Sequence, residues 1–223
     1  MVAQSPDVVS TAPGRALTDP AWISARITEM SRSWGTETRR VGGALWWCMV
    51  ASALVEPITS AYAKGYPAPL ADLDELECEI RPDGGVERVR FRAFAPAASG
   101  AACEAVRRPS PGDTAVGAAL RETLAVVIPQ VAAVSGAAVP ALWAIVTDAI
   151  GNRALDAGAR AVGEQLAAEV GSRLPAPRFV TLADRTFVKR ISCCLVYEVP
   201  TCTMCTSCPK RPPAERTALL SQA

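Results

Sequence analysis

Apolar residues recur at helical spacing through most of this chain. After Asp19-Pro20 they fall at Trp22, Ile23, Ile27, Met30 and Trp34, the period of one buried helix face. Asp19 suits the N-cap and Pro20 the first helical position, and Gly35 ends the run. A more apolar helix is expected from about Glu37 to Lys64, with Leu45, Trp46, Met49, Val50, Leu54 and Ile58 toward its buried side. Pro57 should kink or split it. The period then drops to two. Leu76, Cys78 and Ile80 alternate with Glu77, Glu79 and Arg81, and Val89, Phe91 and Ala93 alternate with Arg88, Arg90 and Arg92. The Pro82-Asp83-Gly84-Gly85 turn between them makes a β-hairpin with one wet face.

Ala95 to Gly112 is a small-residue loop. Asp113 caps the next expected helix, with Val116, Leu120, Leu124 and Val127 in phase and Pro129 bending or ending it. Ser135-Gly136 separates it from a short helix that Pro140 opens and Gly151 ends. Asn152 caps another, with Leu155, Ala159, Val162, Leu166 and Val170 on one face and Gly171 as its stop. Leu174 to Pro177 is a stiff connector, and Lys210 to Ala223 a polar end. The expected fold is mainly α with a small antiparallel β-hairpin or sheet, α+β in class, followed by a cysteine-rich C-terminal tail. Its parts are a flexible arm over 1–18, a mostly helical body over 19–174 with the hairpin near 73–93, a cysteine-bearing segment over 175–212 and a terminal tail over 213–223.

Composition narrows the chemistry. The chain of 223 residues has a formal net charge of +1, which does not indicate a nucleic-acid partner. It has no histidine. That excludes Ser-His-Asp and Cys-His catalysis, histidine-bearing zinc sites and Rieske-type centres. No G-x-G-x-x-G follows a strand, so neither a bound nicotinamide nor a bound flavin is expected. The first residues show no secretory pattern, and the apolar run Ala44 to Val55 is too short to span a bilayer. A reducing, cytoplasmic setting follows as the expectation, with at most peripheral membrane contact.

Five of the eight cysteines fall between Cys193 and Cys208. In a reducing setting such a cluster reads as metal ligands before disulfides. Cys205-x-x-Cys208 is half of a zinc-type site, but its companion is the adjacent pair Cys193-Cys194 rather than a second knuckle. Neighbouring residues on an extended chain point apart, so a binuclear cluster suits that pair better than one tetrahedral ion. Cys48 and Cys78 read as core packing and Cys103 as a loop residue.

The spacing C-C-x10-C-x2-C, with Arg190 before the pair and Leu195, Tyr197 and Pro200 after it, resembles the ferric-siderophore reductases of the FhuF-like family. The resemblance implies a [2Fe–2S] cluster held by Cys193, Cys194, Cys205 and Cys208. It also implies a cytoplasmic oxidoreductase that gives one electron to a ferric siderophore so that ferrous iron is released. Cys202 departs from the expected pattern and adds a Cys202-x-x-Cys205-x-x-Cys208 run. An external electron-donor protein is the expected partner. Arg185, Lys189 and Arg190 read either as a docking face for an acidic donor or as solvated cations. Trp34, Trp46, Trp47 and Trp143 read as core before pocket, and Asp184 and Glu198 as surface carboxylates before proton relays. The alternatives are an iron–sulfur electron carrier or redox sensor, and a zinc-stabilised interaction protein.

Overall fold

A computed structural model describes residues 8–95, 114–182 and 184–222. It is mainly α-helical with two small antiparallel sheets. Helix α1 (Pro20–Trp34) starts where the sequence places it, with Asp19 accepting from the Ala21 amide at 2.8 Å. Helix α2 (Arg39–Lys64) is the central element. It packs on α1, on α3 (Ala115–Ser135) and most extensively on α4 (Val139–Asp156), while α5 (Arg160–Val170) lies on α3 and α4. The indole N–H groups of Trp46 and Trp47 are buried on this axis and donate to the Gly84 and Leu142 carbonyls, so two large apolar rings enter the core without an orphaned donor.

Both internal prolines sit inside unbroken helices. Pro57 neither splits α2 nor ends it, and Pro129 does not end α3. Pro129 lies on the exposed face, where water can meet the carbonyl it leaves unserved. By length and composition α2 and α3 are long and apolar enough to cross a membrane, although the 44–55 run alone is not. In this structure α2 is instead covered by its neighbouring helices and sheet.

The hairpin of β2 (Leu76–Ile80) and β3 (Val86–Phe91) is present and gains a third strand, β1 (Ser10–Pro13). The sheet order is β1-β2-β3, with Ser10 opposite Ile80 and Pro13 opposite Glu77. Residues 10–18 are therefore a strand and a 3-10 turn with Leu17 fully buried, not part of a loose arm. The expected wet face is also not uniform. Glu79 is buried and pairs with Arg88 and Arg90 on the facing strand, so its charge is met on site rather than by water.

Three further boundaries differ. Asp113 lies outside the described residues, and Thr114 caps α3 by accepting from Gly117 N at 3.0 Å. Gly151 does not end a helix, and Asn152 does not begin one: both are interior to α4. A Cβ at Gly151 would lie 3.1 Å from Val188 on β5 (Arg185–Val188), so the glycine there serves close approach, not termination. Strand β5 pairs with β4 (Phe179–Leu182), and α6 (Pro213–Leu220) follows the cysteines. These elements occupy what reads in sequence as connector and polar end.

At Gly117 a Cβ would sit 2.6 Å from backbone atoms of Glu169 on α5, and a backbone cannot swing aside as a side chain can. We expect Gly117→Ala to lower stability by about 1–3 kcal/mol through overpacking, despite the gain of roughly 1 kcal/mol in helix propensity. Urea unfolding followed by circular dichroism checks this; a midpoint at or above that of the parent chain contradicts the tight α3–α5 crossing.

Candidate functional site

The cysteine-bearing segment is tied to the helical body by one carboxylate. Asp148 lies on α4 in an otherwise apolar stretch and is 4% exposed. Its Oδ1 accepts from Ile191 N at 3.0 Å, and its Oδ2 accepts from Ser192 N at 2.9 Å and Ser192 Oγ at 2.6 Å. Arg190 Nε stands 3.4 Å from the same Oδ2. A buried carboxylate is costly unless its lone pairs are used, and here the three residues before Cys193 use them.

Past that anchor the chain turns sharply. Leu195, directly after the cysteine pair, is buried in the left-handed region at φ 62°, an uncommon conformation for a branched side chain. The turn directs the Leu195 amide toward Cys193 and the Val196 amide toward Cys194. A 3-10 turn over Val196–Glu198 follows, with Glu198 held by Arg40 of α2 at 2.9 Å. The second pair of cysteines sits on a tight turn closed by Cys208 N donating to Cys205 O at 3.1 Å. Arg211 donates to the Met204 and Cys205 carbonyls and pairs with Glu215 on α6. Arg216 reaches the Cys208 carbonyl at 3.4 Å.

The four expected site cysteines meet as two nested pairs. Cys193 Sγ lies 3.9 Å from Cys208 Sγ, and Cys194 is the hydrogen-bond partner of Cys205. Arg190 Nη1 stands 3.5 Å from Cys205 Sγ. The Cys194 thiol is lowered to about 5, chiefly by the hydrogen bond from Cys205; burial opposes this, and the Val196 amide and the Arg190 cation add to it. Its partner Cys205 is driven well above the ordinary thiol range by that same hydrogen bond and by burial. Cys193 is also raised, first by burial. One thiolate, at Cys194, is thus stabilised in the inner pair.

These positions correct the expected cofactor. Among the described residues no group of three or more His, Cys, Asp or Glu side chains is gathered to hold a metal ion. The four thiols meet as two separate pairs and not as one gathered group, so the residues as arranged do not fit the [2Fe–2S] cluster expected on Cys193, Cys194, Cys205 and Cys208, nor a structural zinc. The tail is cysteine-rich, but its reading as cluster-binding falls with the cofactor. The described cysteines are all free thiols, so the disulfide reading gains nothing either. Cys202 is half-buried, with the Thr201 hydroxyl at 4.0 Å.

Other candidates resolve by their neighbours. Arg190 is half-buried and engaged by Asp148 and Cys205, so it is no free docking cation. Arg185 and Lys189 are exposed. Glu198 is an ion-pair partner of Arg40, and Asp184 takes a positive φ of 67° at the β4–β5 turn. Trp46, Trp47 and Trp143 are core. Trp34 is not: it is 38% exposed and lines a cavity of about 370 Å³ that also touches Cys194. Cys78 is core as expected, and Cys103 lies outside the described residues. Cys48, read from sequence as packing, borders the same cavity, and its thiol is pushed up to about 12 by burial and then by the charge of Cys194. Asp148 and Cys48 were both missed in the sequence; a lone carboxylate inside the apolar run Leu142–Ile150 was the available signal, since such a charge needs a partner.

Residues 190–210 match the family described as FhuF 2Fe-2S C-terminal domain. The match is partial, covers the cysteine turn and its Arg190, and points to a distant relationship with an iron- and redox-related family. No curated protein matches the chain.

Two outcomes follow from this geometry. Iodoacetamide labelling of Cys194, followed by peptide mass spectrometry across pH, should have its midpoint near pH 5, against about 8.5 for an ordinary thiol. Arg190→Gln should move it upward, and a parent midpoint near 8 rules out the held thiolate. Because this pKa is lower folded than unfolded, its contribution to stability is present above about pH 8.5 and lost as pH falls through about 5. Separately, Asp148→Ala strands Arg190 and two buried amides. It should cost about 3–5 kcal/mol in urea unfolding, with Asp148→Asn costing less; a loss under 1 kcal/mol contradicts the anchor.

Proposed function

We propose that this chain is a cytoplasmic oxidoreductase acting on chelated iron. It passes one electron at a time to a ferric siderophore, so that ferrous iron is released, and it receives electrons from a separate donor protein. What supports this most is a single arrangement: the cysteine turn that matches the iron- and redox-related domain carries a stabilised thiolate at Cys194 beside an open cavity.

The chemistry asked of the site is modest. Ferric ion is small and highly charged, and anionic oxygen donors hold it well. One added electron gives a larger, less charged ferrous ion that the same donors hold weakly. Protons returning to the freed oxygens complete the release. In this reading the chain's own residues seat the chelate against the turn, and Asp148 and Arg190 fix the turn's geometry. Cys193, Cys194, Cys205 and Cys208 are the site residues: a facing pair such as Cys194 and Cys205 gives one electron to each of two ferric ions in turn, releases two protons and closes a disulfide, which the donor protein then reduces. A second reading, an electron carrier or redox sensor without siderophore turnover, is favoured by the same low-pKa thiol, since such thiols are the reactive ones.

The test is anaerobic. Protein reduced with dithionite and desalted is mixed with ferric siderophores and a ferrous-specific chromophore. The expected outcome is ferrous release stoichiometric with the electrons stored, lost by at least tenfold in Cys194→Ser and Cys205→Ser. Release at the parent rate in both serine variants overturns the assignment of the site; electron storage with no ferrous release favours the carrier or sensor.

A further inference from the structure

The cavity beside Cys194 is built from four parts of the chain. Trp34 comes from α1, Met49 and Ser52 from α2, Arg153 from α4, and Cys194 from the cysteine turn. At about 370 Å³ it falls in the range of small-molecule sites, which run roughly 300–1,000 Å³. Three features describe what it would take. Its walls are mostly apolar, and the half-buried Met49 and fully buried Met30 supply thioethers that adapt to a flat surface. Trp34 leaves 38% of its surface uncovered at the edge, whereas Trp46 and Trp47 are fully buried.

The third feature is polar. Arg153 pairs with Asp156 through Nη2 at 2.7 Å, yet its Nε is buried and has no hydrogen-bond partner. The guanidinium is partly exposed and lines the cavity, so its outer N–H groups can donate to an acceptor there. The cations at the cavity are already met: Arg153 pairs with Asp156 and Arg190 with Asp148. A highly charged ligand gains nothing there. A flat, largely neutral ring with a carbonyl oxygen does, because the ring lies on Trp34 and the oxygen accepts from the Arg153 guanidinium that lines the cavity.

We propose that this cavity binds a flat conjugated ring bearing carbonyl oxygens, of the quinone or isoalloxazine type, as a small-molecule electron donor. This rests on the reductase reading of the neighbouring turn, and it adds a diffusible entry route to the donor protein. The balance is simple. One hydroquinone and two ferric ions give one quinone, two ferrous ions and two protons, in two successive one-electron steps, with the protons taken up by the chelate oxygens.

Binding is measured without turnover. Riboflavin is titrated with the protein and its fluorescence followed, because stacking on an indole quenches it; menadione is the competing quinone. We expect quenching with a dissociation constant in the micromolar range. Trp34→Leu and Ala149→Phe, the second filling the cavity, should each weaken binding at least tenfold, and Arg153→Leu about tenfold for the lost donor. Displacement by menadione identifies a site for the ring type in general; quenching that menadione leaves unchanged confines it to the isoalloxazine. Arg15→Gln, at an exposed ion pair with Asp74 and outside the cavity lining, should bind as the parent does. Each variant is checked for folding by thermal melting and for ferrous release after dithionite reduction. No binding of either ring below 1 mM, or equal binding by Ala149→Phe and the parent, overturns the cavity assignment while leaving dithionite-driven ferrous release intact. Binding without any ferrous release overturns the reductase reading and not the site.

Discussion

The docking of the cysteine turn on the helical body depends on Asp148. One buried carboxylate accepts from two consecutive amides and a hydroxyl and faces the Arg190 guanidinium. Each of those donors precedes Cys193 by at most three residues. The carboxylate thus fixes where the segment rests on α4 and how it enters the turn. Burial of the charge is tolerable because its lone pairs are spoken for. The same arrangement makes the turn dependent on α4, and α4 in turn is wedged between α2 and β5, with Gly151 allowing Val188 to approach.

Much of the fold could be read from the residues, and the misses share a physical cause. Helix α1 and the β2–β3 hairpin have strong periods and clear punctuation at Asp19-Pro20, Gly35 and Gly84-Gly85. The errors fall where one residue type serves two purposes. Gly151 looked like a stop because glycine ends helices, but here it makes room for Val188. Pro57 and Pro129 looked like breaks, yet helices held by packing on neighbours survive one missing bond. Strand β1 was invisible because four residues paired only through long-range backbone bonds carry almost no local signal. The same holds for β4 and β5.

The site was half legible. Cysteine density marked the segment, and the resemblance singled out four of its sulfurs; both rest on local properties. How the sulfurs meet is not local. The turn at Leu195 sends neighbouring thiols to different partners, and a left-handed leucine cannot be foreseen from its type. The expectation of a cluster rested on spacing alone, and spacing does not distinguish a gathered tetrad from nested pairs. Cys48 and Trp34 were likewise beyond reach, since their part depends on α1 and α2 facing the tail across the cavity.

Nested pairing has an electrostatic consequence. Two thiolates in contact repel, so the inner pair keeps one proton and the thiol that keeps it hydrogen-bonds the one that loses it. Arg190 lowers both thiols, and the Val196 amide favours the charge at Cys194. Burial alone would lower the Arg190 pKa, but the charges of Cys194, Asp148 and Cys205 outweigh this and raise it, so the guanidinium stays charged. It therefore links the anchor to the thiolate: Asp148 holds the arginine, and the arginine and the Val196 amide help hold the charge on sulfur. A change at the carboxylate is then felt at Cys194 without touching it. That coupling binds the structural role of α4 to whatever electron chemistry the turn performs, because the charge on that sulfur sets how readily it gives an electron or meets an oxidant.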